Sequence, residues 1–114
     1  MSPAARRAAA YRYTQSIMTQ EDSSPIRAAI NELDGQFLLI EPPAMDAAIV
    51  GLVYGVCKEP VVCYDRSKVI AILMQDGMDE DEAEEFFSFN IESAYMGDAT
   101  PMFFTTAQEL IARG

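Results

Sequence analysis

Proline and glycine cut this chain into short pieces, and few regular elements can run across the cuts. In "SSPIRAAINELDG" Ser24 is placed to cap, Pro25 suits a first helical position and Gly35 supplies a left-handed exit, so a short helix is predicted. Pro42 and Pro43 close "QFLLIEP", a compact apolar run that reads as a buried strand. Pro60 and Asp65 bound "PVVCYD", which is β-branched or aromatic at most positions and reads as a core strand. In "RSKVIAILMQDG" the apolar residues Val69, Ile70, Leu73 and Met74 return to helical spacing, and Gly77 ends that helix. An acid-rich helix follows and stops at Gly97. "TPMFFT" is predicted as a third strand, and Thr106 with Glu109 has the spacing of a capping box for a last short helix. Between the first two strands, Ala47, Ala48, Val50 or Gly51, and Val53 or Tyr54 predict a helix from Ala44 to about Val56. That helix would be apolar nearly all round and therefore central.

These pieces fit one domain, since 114 residues can bury a core without staples. Two helices separate the second and third strands, so the reading is a small α+β domain, with helices packed on a short sheet of about three strands. Strand direction stays open. Half of the residues are hydrophobic and 23% charged, the balance of a folded globular chain. The longest apolar stretch, Ala44 to Cys57, is interrupted by Asp46 and is too short to cross a bilayer, so no membrane partner is expected.

Histidine is absent, which removes Ser-His, Cys-His and His-metal chemistry at once. The two cysteines, Cys57 and Cys63, cannot complete a tetrahedral zinc site without histidine. A disulfide between them is unforced; two small buried thiols in a reducing cytoplasm are the simpler expectation. No catalytic residue and no cofactor is called for.

Charge divides the chain unequally. Residues 1–20 carry Arg6, Arg7 and Arg12 and no acid, and are read as a basic helical arm appended to a domain over 21–114. Met18 offers a second start within that arm. The domain carries all 18 acids against the other five bases. Such a body repels nucleic acid and anionic membranes and attracts the basic surface of a protein.

The acids concentrate in "DGMDEDEAEEFFSFNIESAYMGD", with six carboxylates between Asp79 and Glu85. Asp79 as cap and Glu82 three residues later form a capping box, and the helix dipole favours Glu80 and Asp81 in the first turn by about 0.3–1 kcal/mol each. Glu84 and Glu85 lie beyond that turn. They stand four residues from Glu80 and Asp81, where like charges cost roughly 0.2–0.5 kcal/mol per pair. At about 100° per residue, Asp81, Glu84, Glu85, Ser88 and Glu92 share one face, and Ala83, Phe86, Phe87, Asn90, Ile91 and Ala94 the other. The anionic face is either a solubilising surface or a binding face for a basic partner. Asp81, Glu84, Glu85 and Glu92 are the candidates for the second role. To a nucleic-acid-binding protein such a face looks somewhat like a phosphate backbone.

Asn90, in the middle of the apolar stripe, is expected to be a buried amide bonded to a neighbouring loop. Tyr64 and Asp65 end the second predicted strand, and Asp98 and Thr100 precede the third; these four mark the sheet edge where a pocket is expected. An EF-hand does not fit, because counting from Asp76 puts Met78 third and counting from Asp79 puts Glu84 sixth. A magnesium or manganese site needs fewer carboxylates, so a small metal-dependent enzyme using Asp65, Asp98 and part of the acidic run stands as the alternative. A self-associating accessory protein, with the basic arm of one subunit on the acidic face of another, is a further one.

The run "VVCYDRSKVIAILMQDGMDEDEAEEFFSFNIESAYMGDATPMFF", together with "IEP" at Ile40–Pro42 and "AIVG" at Ala48–Gly51, resembles a family of short acidic proteins encoded by phages and prophages. The shared pattern is Tyr-Asp, a helix ending in Asp-Gly-Met, an acidic Glu-Ala segment, an aromatic-Asn pair, and Gly-Asp-x-Thr-Pro before a final strand. The resemblance brings no activity and no catalytic residues with it. It implies a phage product acting in a bacterial cytoplasm, and by analogy an inhibitor of a host enzyme or defence complex. The basic arm departs from that pattern.

Overall fold

The computed structural model describes residues 12–15, 24–35, 37–56 and 58–113. The chain order is β1 (Arg12–Gln15), α1 (Pro25–Asn31), β2 (Leu38–Glu41), a 3-10 helix (Pro43–Ala48), β3 (Ile49–Gly55) and β4 (Lys58–Asp65). Then come α2 (Arg66–Gln75), α3 (Glu80–Phe86), a π-helical segment (Phe87–Glu92), β5 (Met102–Phe104) and α4 (Ala107–Arg113). The fold is α+β, as the sequence implies. Its main sheet is mixed, in the order β3-β4-β5, with β3 antiparallel and β5 parallel to β4.

β4 is central in that sheet and is buried at every position from Val61 to Asp65, the mark of a strand covered on both faces. Its Val62 and Tyr64 enter the main core with Leu39, Ile40, Met45, Val69, Leu73 and Phe87. Phe103 of β5 closes this core from the other side, edge-on to the Phe87 ring at 4.9 Å between centroids. The α2 helix starts on Asp65, whose carboxylate accepts from the Ser67 N–H at 3.0 Å. It ends at Gly77, whose φ of 114° lets the chain turn back while the Met78 N–H reaches the Leu73 carbonyl.

Three expectations need correction. The helix expected over Ala44–Val56 is a short 3-10 helix followed by β3. An apolar run of this length carries both periods, and β-branched Ile49, Val50 and Val53 decide for a strand once β4 offers a ladder. Gly51, at φ 146°, takes a backbone conformation that side chains disfavour and sits beside a register shift in the β3–β4 pairing. Second, the "QFLLIEP" strand lies outside the main sheet: β2 pairs antiparallel with β1, Arg12 opposite Glu41. Third, Arg12–Gln15 is that strand β1, where the basic arm was expected to be helical; extended pairing with β2 overrides the local helix preference. The remainder of the arm, the boundary at residue 20, and Cys57 lie outside the described residues. Cys63 is a buried free thiol.

Candidate functional site

The acidic helix begins as its residues dictate. The Asp79 carboxylate accepts from the Glu82 N–H at 2.8 Å, and the Glu82 carboxylate accepts from the Asp79 N–H at 3.2 Å. These two acids are occupied by the capping box. The other members of the run are not needed for it, and Glu80, Asp81, Glu84 and Glu85 are all exposed. Ala83, Phe87 and Ile91 hold the opposite face in the core at 0%, 0% and 3% exposure.

From Phe87 the helix widens into a π turn. Each wider turn takes an extra residue to come round, so Ile91, and not Asn90, returns to the buried line of Phe87. Asn90 is exposed, correcting the expectation of a buried amide, and Phe89 is turned to solvent at 73% exposure. Glu92 is exposed at the end of the π segment. Thus Asp81, Glu84, Glu85 and Glu92 all face water. None of the four is paired with a basic side chain among the described residues.

Arg66 lies beside this face. Arg66, at the start of α2, holds its guanidinium 5.1 Å from the centroid of the Phe87 ring, a cation–π contact. Around it lies an open cleft of about 670 Å³ lined by Arg66, Glu80, Glu84, Thr105, Glu109 and Ala112. Glu84 therefore borders a concavity between the starts of α2 and α3 and the α4 helix, and three carboxylates surround one guanidinium there. Sequence spacing gave Glu109 a capping role that the structure only half fulfils. Its N–H donates to Thr106 Oγ1 at 3.1 Å, but its carboxylate accepts from Ser67 Oγ across the cleft. No sequence signal linked Arg66, Glu80 and Glu109, because the elements that carry them are distant in the chain.

The expected pocket edge does not assemble. β5 runs parallel to β4, with Asp65 beside Phe104, so Tyr64 and Asp65 lie at one end of the sheet while Asp98 and Thr100, which precede β5, lie at the other. Tyr64 is a core residue whose hydroxyl accepts from the Ile40 N–H at 2.8 Å, and Asp65 is the buried cap of α2. Thr100 stays within its own loop, donating to the Gly97 carbonyl and accepting from the Met96 N–H. Asp98 instead borders a cavity of about 260 Å³ with Asp34, Phe37, Glu59, Pro60 and Ala99. Among the described residues no group of three or more acids or cysteines is placed to hold a metal ion. The joint use of Asp65 and Asp98 in a metal-dependent reaction fails on the same geometry.

Deeper in the fold is a polar cluster that sequence reading missed. Arg27 of α1 is 4% exposed and donates to both Asp46 oxygens, from Nε at 2.9 Å and Nη2 at 2.8 Å. It also donates to Glu41 at 2.9 Å and to the Ile40 carbonyl at 3.1 Å, while Ser24 Oγ donates to Asp46 at 2.6 Å. Burial alone would lower the Arg27 pKa, but hydrogen bonding to Asp46 and the charges of Asp46 and Glu41 outweigh it and raise it. Every strong partner is internal, so the cluster clamps α1, β2 and the 3-10 helix together.

No protein-family model, no curated protein and no solved structure matches the chain. No described helix is long and apolar enough to cross a membrane.

Proposed function

We propose that this chain is a non-enzymatic binding protein whose anionic helix face engages a basic protein surface, of the kind that otherwise holds nucleic acid. The observation that carries this reading is the state of Glu84 and Glu85: both are exposed, both stand one turn from a like charge, and neither forms an ion pair with a described arginine or lysine. Helix stability does not account for them. A surface with opposite charge does, because complementary potentials speed encounter and select the partner. Asp81 and Glu92 extend the face along the helix, and Glu80 and Glu109 extend it into the cleft beside Arg66. The resemblance to short acidic phage proteins supports a setting in the bacterial cytoplasm, with a host enzyme or defence complex as the target.

The test is capture from infected bacterial cells at low and high salt, repeated with alanine at Asp81, Glu84, Glu85 and Glu92 together. The proposal expects a nucleic-acid-binding protein to be retained at low salt, released at high salt, and lost with the fourfold variant. Unchanged capture by that variant would reduce the face to a solubilising surface.

A further inference from the structure

The anionic face is not purely polar. Phe89 stands on it at 73% exposure, within one turn of Glu85 on one side and of Glu92 on the other, both of them exposed. A surface kept only for solubility is served by its carboxylates and gains nothing from an uncovered ring. Packing does not account for the ring either, because Ala83, Phe87 and Ile91 supply the buried line of this segment. The chain itself shows what a ring beside carboxylates can hold. The Arg66 guanidinium lies 5.1 Å from the centroid of the Phe87 ring, in a cleft that Glu80 and Glu84 also line. A guanidinium is planar and weakly hydrated, so it stacks on a ring while its N–H groups donate to a carboxylate; an ammonium holds its water and acts as a point charge.

On the reading of the acidic face proposed above, we infer that Phe89, flanked by Glu85 and Glu92, is the seat for an arginine of the protein partner, so that the face selects arginine over lysine. Charge sets the class of occupant. With a formal charge of −10 on the chain and these carboxylates beside it, the ring meets cations, and anionic membranes and nucleic acid are repelled. The ring then selects within that class. An aliphatic side chain laid on Phe89 would take water from Glu85 and Glu92 and give them no partner. Lysine would pair with them and make little use of the ring. Arginine satisfies the ring and the carboxylates together.

Two probes titrated calorimetrically into the full chain, at low and at high salt, test this: an arginine homopeptide and a lysine homopeptide of equal length. The arginine peptide is expected to bind roughly threefold tighter, the worth of one exposed cation–π contact, and to keep that lead as salt weakens both peptides. Phe89→Leu should remove the lead and leave the lysine affinity within about twofold of the wild type, while Phe89→Trp should preserve it. Phe89 is exposed, so both variants are expected to fold, and circular dichroism checks this. In the wild-type chain the Phe89 ring resonances should shift on adding the arginine peptide and stay in place with the lysine peptide. Equal affinity for the two peptides, or a lead that survives Phe89→Leu, would overturn the arginine seat. The anionic face would still stand in that case, provided that both peptides bind at low salt and lose affinity with alanine at Asp81, Glu84, Glu85 and Glu92. Failure of both peptides to bind at low salt would overturn the face and the seat together.

Discussion

Arg27 shows how much a single buried charge can demand. Its guanidinium satisfies Asp46, Glu41 and a carbonyl at once, and removing it would leave the Asp46 carboxylate buried without its cation. Arg27→Met is expected to destabilise the fold by about 3–5 kcal/mol in urea unfolding, and adding Asp46→Leu should recover part of the loss. Cys63 poses the opposite case, a group kept neutral. Burial, and secondarily the Asp65 charge, push its thiol above the ordinary range. The folded state therefore holds that proton at pH values where the unfolded chain has released it. Stability from this site is complete below the unfolded thiol pKa and declines as pH rises through the folded one. Unfolding followed across the alkaline range should show the decline, and Cys63→Ala should flatten it.

At the level of elements, the acidic helix combines one stabilising device with one destabilising one. Asp79→Ala removes the cap and should cost about 1 kcal/mol. Glu84→Gln with Glu85→Gln removes like-charge pairs and should stabilise by a few tenths of a kcal/mol, while weakening any cationic partner; thermal unfolding and salt-dependent binding read the two effects. The cap was legible in the sequence because its partners are three residues apart, and so were the α1 and α2 helices and the β4 and β5 strands. β3 was not, because its ladder depends on β4, and a short apolar run contains both periods. Asn90 was misplaced because nothing in "FFSFNIE" announces a π turn. Arg27 and Asp46 are 19 residues apart and read locally as a helix-surface base and a break in an apolar run. The anionic face itself was legible, being contiguous; the cleft that Glu84 borders required the fold.

For the molecule as a whole, charge and topology set separate consequences. A chain at −10 works against its own compaction, so moderate salt should raise the unfolding midpoint, and alanine at Asp81, Glu84, Glu85 and Glu92 should reduce that dependence. Topology governs the order of events. β3 and β4 are joined by a tight hairpin and can zip locally, but β5 joins β4 from 37 positions later, with Asp65 beside Phe104 only at residue offset 39. That parallel seam closes a long connection, made up of two helices and the π turn. The β4–β5 seam thus waits on the latest strand: chains that end before Phe103 are expected to leave one flank of β4 and the Phe87 ring uncovered, and to be the forms most open to proteases and misassembly.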